Sequence, residues 1–411
     1  MKYIILIGDG MGDRPIASLG GRTPLAQAST PCLDRLASGG RLGLAQTIPE
    51  GMPPGSDVAI MSLLGYDPRG VLTGRGPLEA LALGVPLADG DLAFRLNLVT
   101  LEFGRETVMR NHAAGDIGSQ EAGGLIAALA GRMPLEPGQA IHQGVSYRNV
   151  LVWPGAPEGL ASIPPHDHLD RPIDGILDLD GYQPISRLVR ASWPILAGCP
   201  ENRARAAAGQ PQANSIWLWG QGRTPRVRTY LERWGLTGAT VSAVDIIRGL
   251  GLATGLSPIP VPGATGGLDT NYAGKVEAAQ RALAGSDLAV LHLEAPDETS
   301  HQGQLGQKLQ AIENFDRLVV GPMLEGLGRA GADYRVLAAC DHYTPIELKT
   351  HTADPVPFIL YDSRGPQPGD GGPDRGLGAA AYSEAEAAST GLVIPDGTSL
   401  GRLLFGPEIG G

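Results

Sequence analysis

Three segments decide how this chain reads: Ala295-Pro296-Asp297-Glu298-Thr299-Ser300-His301, then Ala338-Ala339-Cys340-Asp341-His342-Tyr343-Thr344-Pro345, then Lys349-Thr350-His351-Thr352-Ala353-Asp354-Pro355. The first two each follow a short apolar run, Asp287–Leu293 (D-L-A-V-L-H-L) and Arg335–Cys340 (R-V-L-A-A-C). Runs of this kind form strands buried on both faces of a parallel sheet. The pairs Asp297/His301 and Asp341/His342 are therefore expected at strand C-termini, the edge where open α/β sheets bind ligands. Asp297 and His301 are four residues apart and share a face if their segment is helical, whereas the adjacent Asp341 and His342 need a turn to converge. With His351 they make two carboxylates and three imidazoles without a thiolate. That donor set suits Mn2+, Mg2+ or Zn2+, and its size calls for two ions. Such a site polarises a phosphoryl group and activates an attacking oxygen.

The N-terminus has the same form, since Tyr3–Ile7 is an apolar run leading into Gly8-Asp9-Gly10-Met11-Gly12-Asp13. A dinucleotide fingerprint would need glycine where Asp13 stands, and Gly274-Lys275 is followed by Val276 without the glycine spacing of a P-loop. Asp9 alone reads as a turn residue; beside the other carboxylates it becomes a candidate ligand. Pro53-Pro54-Gly55 delivers Ser56 to the start of an apolar helix. Ser56 there reads equally as an N-cap and as a hydroxyl beside the backbone N–H groups and positive dipole end that welcome phosphate. Thr30-Pro31 begins another helix, with Thr30 as its expected cap and Gly39-Gly40 as its stop.

With 42% hydrophobic and 18% charged residues among 411, the composition is that of an ordinary globular protein long enough for more than one domain. A net charge of -11 excludes a nucleic-acid surface, which needs clustered Lys and Arg. Any small anionic ligand must then be held by local positive charge. The three scattered cysteines suggest neither a disulfide framework nor a thiolate zinc site, and no apolar run reaches membrane-spanning length. The expectation is a cytoplasmic protein without a membrane partner.

From about Leu87 the rhythm changes, with strands expected at Asp91–Thr100, Tyr147–Trp153 and Ser215–Trp219. After Pro225 the α/β alternation resumes, with a helix through Val227–Trp234, a strand at Ala239–Val244 and a helix at Asp245–Leu250. Leu305, Leu309, Ile312, Phe315, Val319 and Met323 recur at helical spacing as one core face. A last strand at Pro357–Tyr361, a Gly/Pro-rich loop at Gly365–Gly378 and a helix near Ser383–Thr390 complete the chain. Residues 1–87 and 226–411 thus form one discontinuous α/β domain, a mainly parallel sheet flanked by helices, and 88–225 an inserted α/β domain.

As an ensemble, G-D-G-M-G-D, P-G-S-D-V-A, A-P-D-E-T-S-H, D-H-Y-T-P and K-T-H-T-A-D-P-V-P resemble the archaeal-type, 2,3-bisphosphoglycerate-independent phosphoglycerate mutases of the alkaline phosphatase superfamily. The resemblance spans nearly the whole chain, because Y-R-N-V-L-V-W, P-P-H-D, N-S-I-W-L-W-G-Q-G and V-P-G-A-T-G-G-L-D-T-N-Y also fit. It implies an alkaline-phosphatase-like core with a cap, and interconversion of 3-phosphoglycerate and 2-phosphoglycerate through a phosphoserine on Ser56. It further implies one ion shared by Asp9, Ser56, Asp341 and His342, and a second held by Asp297, His301 and His351. Mn2+ or Mg2+ is expected, with Zn2+ or Co2+ as further candidates, and no 2,3-bisphosphoglycerate. The cap would hold glycerate, with Arg95, Arg148, His166, Asp167 and Arg223 as candidates. The same core residues would also serve a metal-dependent phosphatase or phosphotransferase acting on another small phosphorylated metabolite. A metal-stabilised binding protein would not need the serine.

Overall fold

A computed structural model describes residues 1–365 and 378–409. The strands in chain order are β1 (Lys2–Gly8), β2 (Arg41–Ala45), β3 (Leu92–Phe103), β4 (Thr107–Asn111), β5 (Ala140–Val145), β6 (Arg148–Trp153), β7 (Ser215–Gly222), β8 (Gly238–Val241), β9 (Ser257–Pro258), β10 (Leu288–Leu293), β11 (Tyr334–Cys340), β12 (Val356–Asp362) and β13 (Val393–Ile394). The chain divides into two compact units, Met1–Leu72 with Arg226–Gly411, and Thr73–Pro225. The first crossing lies earlier than the expected Ala88. The helix Gly76–Ala82 belongs to the second unit because Ala80, with Val85 beyond it, packs on Ala93, Val150 and Val152 of β3 and β6.

The first unit is built on an eight-stranded sheet in the order β13-β2-β12-β11-β1-β10-β8-β9. Its centre is β1, flanked in parallel by β10 and β11. Ile4, Ile5, Leu6 and Ile7 are fully buried, as are Leu291, Leu293, Val336 and Leu337; each such side chain contributes about 1.5–3 kcal/mol relative to exposure. Both apolar runs therefore do enter a doubly covered parallel sheet. The exception is β12, which runs antiparallel to both β11 and β2. The residues between β11 and β12 include no helix to carry the chain back along the sheet, which is the usual form of a parallel crossover.

Local chemistry moves other boundaries. The helix after Pro225 begins only at Tyr230, because Thr229 and Glu232 form a reciprocal capping box there. The strand at Ala239 stops at Val241. The helix Pro31–Gly39 is present, but Thr30 makes no side-chain cap. Instead the fully buried carboxylate of Asp316 accepts from Cys32 N–H at 3.1 Å and Leu33 N–H at 2.7 Å. Asp316 reaches them from a π-helical turn, Phe315–Val320, between the α-helices Leu305–Asn314 and Gly321–Ala330. Ile312, Phe315, Val319 and Met323 are buried as the periodicity requires, while Leu305 and Leu309 are only partly covered. The fully buried neighbour there is Lys308.

The second unit has a five-stranded sheet in which β4, β6 and β7 all pair antiparallel with β3, and β5 with β6. Helices Ser119–Arg132 and Gln183–Ala197 supply Leu125, Leu129, Ile185 and Val189 to its core. The expected helix near Ser383 spans Glu384–Ser389, and most of the Gly/Pro-rich loop lies outside the described residues. No helix among the described residues is long and apolar enough to cross a membrane.

Candidate metal centre

The C-terminal ends of three adjacent parallel strands build the site. Gly8 at the end of β1 is in register with Leu293 of β10 and Cys340 of β11, so Asp9, the segment carrying Asp297, and Asp341 leave the sheet side by side. Pro296 sits in the first turn of the helix Ala295–His301, which puts Asp297 and His301 on one face. There His301 Nε2 lies 3.1 Å from Asp297 Oδ2 and 2.9 Å from His351 Nε2, and His351 Nε2 is 3.5 Å from Asp297 Oδ1. A second group surrounds His342 Nε2, which is 3.2 Å from Asp341 Oδ2, 3.4 Å from Asp9 Oδ1 and 3.1 Å from Ser56 Oγ. Ser56 is not the N-cap that one sequence reading allowed. Gly55 takes that position, and the Ser56 hydroxyl, at the first residue of the helix Ser56–Leu63, faces the imidazole instead.

Hydrogen bonds fix which atoms face the centre. Thr344 Oγ1 donates to Asp297 Oδ1 at 2.5 Å, so it accepts from His342 Nδ1 at 3.2 Å and leaves the Nε2 lone pair toward Ser56. His301 Nδ1 donates to the Lys349 carbonyl at 2.9 Å, which turns Nε2 toward Asp297. Asp341 Oδ1 accepts from Gly10 N–H and His342 N–H. Its Oδ2, with Asp9 Oδ1 and Glu294 Oε2, is buried without a hydrogen-bond partner. Such orphaned carboxylate oxygens are costly unless a cation satisfies them. Groups Asp297/His301/His351 and Asp9/Asp297/His342 each bring their donor atoms within 4.8 Å of one another, so the residues fit two ions.

The electrostatics agree. Burial, then the neighbouring Asp341 charge, pushes the Asp9 carboxyl well above its usual range. Burial acts the same way on Asp297, but hydrogen bonds from His301 and His351 outweigh it and hold that carboxyl well below the usual range. The Asp297 contact raises His301 to about 9. Burial lowers His342 and brings His292 down to about 3, so both are neutral imidazoles.

Several groups escaped the sequence reading. His292 lies inside β10 with Nε2 at 2.8 Å from Asp9 Oδ2, and Glu294 comes two residues later; a histidine in a strand with both faces buried was the available signal. Gly10 has φ +61, and a Cβ there would meet Asp297 Oδ1 at 2.5 Å and Thr344 Oγ1 at 2.7 Å. Lys308 Nζ donates to Gly12 O, Asp13 Oδ2 and Thr344 O, tying the loop after β1 to the loop after β11.

In the Thr73–Pro225 unit, Arg95 is buried on β3 with Nε 3.0 Å from Glu79 and its guanidinium 4.7 Å from the Trp219 ring centre. Trp219 contacts His166, His166 contacts His112, His112 contacts Tyr147, and Arg148 lies over Tyr147. Arg95, Arg148 and His166 thus belong to one chain of cations and rings, with His112, Tyr147 and Trp219 unforeseen. Asp167 is exposed, 3.7 Å from His166. Arg223 lines a groove of about 440 Å3 with Thr73, Glu158 and Gln221, and no hydrogen bond, ion pair or ring contact among the described residues joins it to that cluster.

Residues 37–202 match the family model described as 2,3-bisphosphoglycerate-independent phosphoglycerate mutase. A Geobacter sulfurreducens protein named as a probable enzyme of that kind is 48% identical over 98% of this chain and 100% of its own length. A Methanothrix thermoacetophila protein bearing the same name without the qualifier is 47% identical, with coverage of 98% and 100%. The solved cofactor-independent phosphoglycerate mutase from Thermoplasma acidophilum is 29% identical, covers 98% of this chain and 99% of its own, and superposes with a TM-score of 0.62.

Proposed function

The chain belongs to the 2,3-bisphosphoglycerate-independent phosphoglycerate mutase family, and from that membership we propose that it interconverts 3-phosphoglycerate and 2-phosphoglycerate through phosphorylation of Ser56. The observation carrying this reading is the Ser56 hydroxyl, 3.1 Å from an unprotonated imidazole nitrogen and beside two partnerless carboxylate oxygens. Asp9, Asp341, His342 and Ser56 would hold one divalent ion, and Asp297, His301 and His351 the other. The all-oxygen and imidazole donors suit Mn2+ or Mg2+. Bound there, the ions would supply charge to stabilise the phosphoryl oxygens and lower the pKa of the serine hydroxyl.

The chain's own groups do the rest. Ser56 Oγ bonds to phosphorus as the glycerate oxygen departs, the serine proton ending on that oxygen, and the second glycerate hydroxyl later takes the phosphoryl group back while its own proton returns to Ser56 Oγ. Thr344 keeps His342 in the tautomer that faces Ser56. For the glycerate carboxylate, the chemistry that fits is the arginine and imidazole cluster of the Thr73–Pro225 unit, with Arg148 and His166 as its leading members. Arg95 is assigned a supporting part, since Glu79 already faces it.

Ser56→Ala tests the assignment. No side-chain cap is lost, so stability should change by no more than about 0.5 kcal/mol, while turnover of 3-phosphoglycerate should fall by on the order of 10⁴-fold or more. Mass spectrometry of quenched wild-type reactions should find phosphate on Ser56. Residual mutase activity within about tenfold of wild type would rule Ser56 out as the acceptor.

A further inference from the structure

Asp9, His292 and Glu294 form a third cluster of donor atoms within 4.8 Å of one another. We propose that this cluster is not a third cation site, and that His292 is a positioning residue: a fixed N–H donor that holds one oxygen of Asp9 so that the other is presented to an ion. The inference rests on the two-ion reading above.

The geometry supplies the chain of donors. With an ion on its other oxygen Asp9 is an ionised carboxylate that only accepts, so His292 Nε2, 2.8 Å from Asp9 Oδ2, carries the hydrogen. Its Nδ1 then accepts from Ser242 Oγ at 3.1 Å, and that hydroxyl accepts in turn from Val244 N–H at 3.0 Å. Every polar atom along this line is used once in a consistent direction, from the backbone at the end of β8 to Asp9. The other Asp9 oxygen, Oδ1, stays partnerless beside His342. A cation for the far side is already built in. Lys275 is fully buried, its Nζ lies 3.4 Å from the His292 carbonyl, and its charge acts on Glu294. That buried ammonium acts electrostatically on both Glu294 and His292, and so disfavours a divalent ion between them.

The test is Mn2+ binding to the full chain, measured by calorimetry and electron paramagnetic resonance, for wild type, His292→Leu, His292→Gln and Ser242→Ala. Wild type should bind two ions. In His292→Leu the site containing Asp9 should weaken ten- to a hundredfold, the range expected when an outer partner of a ligand is removed, while the Asp297 site changes little. His292→Gln, whose amide N–H can replace Nε2–H, should recover most of that affinity. A merely structural histidine would not show this split between sites or this rescue. Three ions in wild type with two in His292→Leu would overturn the proposal. So would unchanged affinities in His292→Leu, or a His292→Gln variant as weak as His292→Leu. If circular dichroism shows His292→Leu unfolded, Ser242→Ala decides, because it keeps the imidazole and removes only its orienting hydroxyl: several-fold weaker binding at the Asp9 site supports the role, and unchanged binding refutes it. No ion on wild type would defeat the two-ion reading itself, and this inference with it; two ions with indifferent variants would defeat only the role of His292.

Discussion

Replacing Lys308 by methionine isolates the connection that holds together the two loops carrying candidate ligands. Lys308 is fully buried, and its ammonium donates to Asp13 Oδ2 at 2.8 Å, Thr344 O at 3.0 Å and Gly12 O at 3.2 Å. Methionine fills nearly the same volume but leaves a buried carboxylate without its cation and the Thr344 carbonyl without its donor, while Gly12 O still accepts from Thr344 N–H at 3.1 Å. Removing one partner of a buried ion pair costs about 3–5 kcal/mol, and the orphaned carbonyl adds roughly 1 kcal/mol. Two contacts limit the loss, since Asp13 keeps hydrogen bonds from Arg14 N–H and Ile346 N–H. The expected destabilisation is therefore about 4–6 kcal/mol, a large share of the 5–15 kcal/mol typical of a folded protein. Urea unfolding of metal-free wild type and variant, monitored by near-ultraviolet circular dichroism, measures it. The double variant Asp13→Asn/Lys308→Met removes the stranded charge and should be more stable than Lys308→Met alone. A loss below about 1 kcal/mol, or a double variant no better than the single one, would refute the electrostatic account of this lysine.

The centre itself yields two further outcomes. Gly10→Ala places a methyl against Asp297 and Thr344 at a left-handed φ; beyond the roughly 1–2 kcal/mol of backbone strain, it should cut Mn2+ affinity at both sites by tenfold or more, and equal affinities in a calorimetric titration would contradict it. In the metal-free protein His301, raised to about 9 by Asp297 against an ordinary value of 6.5, adds stability that is fully present below about pH 6.5 and lost as pH rises through about 9. An ion must displace that proton, so affinity at the Asp297 site should rise from pH 7 toward 9, approaching tenfold per unit, with about one proton released per ion. Titrations in buffers of different ionisation enthalpy would count it, and a flat profile would exclude the displacement.

The central strands and the placement of the candidate ligands were legible because a doubly buried strand has a distinctive composition and its end fixes where the next residues stand. Asp297/His301 and Asp341/His342 needed only the rule that parallel strands deliver ligands at one edge. The hidden features depend on contacts between segments distant in sequence. Nothing local marks Asp316 as the cap of the helix at Pro31, and the periodicity of its segment pointed to Leu309 where Lys308 is the buried residue. His292 was hidden for the opposite reason. Its neighbours in β10 are so uniformly apolar that the segment reads as strand, and only the parallel register with β1 brings the ring to Asp9. The reversal of β12 was unreadable from its own apolar run, which looks the same in either direction.

The position of β1 also sets an order of events during synthesis. Ile5 pairs with Val290 on one side and Leu337 on the other, so the first strand made must wait for most of the chain before either neighbour exists. All of Thr73–Pro225 emerges in that interval, and its strands pair only with one another, so it can fold alone while Ile4-Ile5-Leu6-Ile7 remains an unpaired apolar edge. The ligand edge closes only when β11 docks and brings Asp341 to Asp9. Ion binding is thus a late event that reports a completed core, and at a hundred times its dissociation constant each ion would add about 2.7 kcal/mol to the folded state. Chelation would remove that increment and leave the pairing of β1 with β10 and β11 in place.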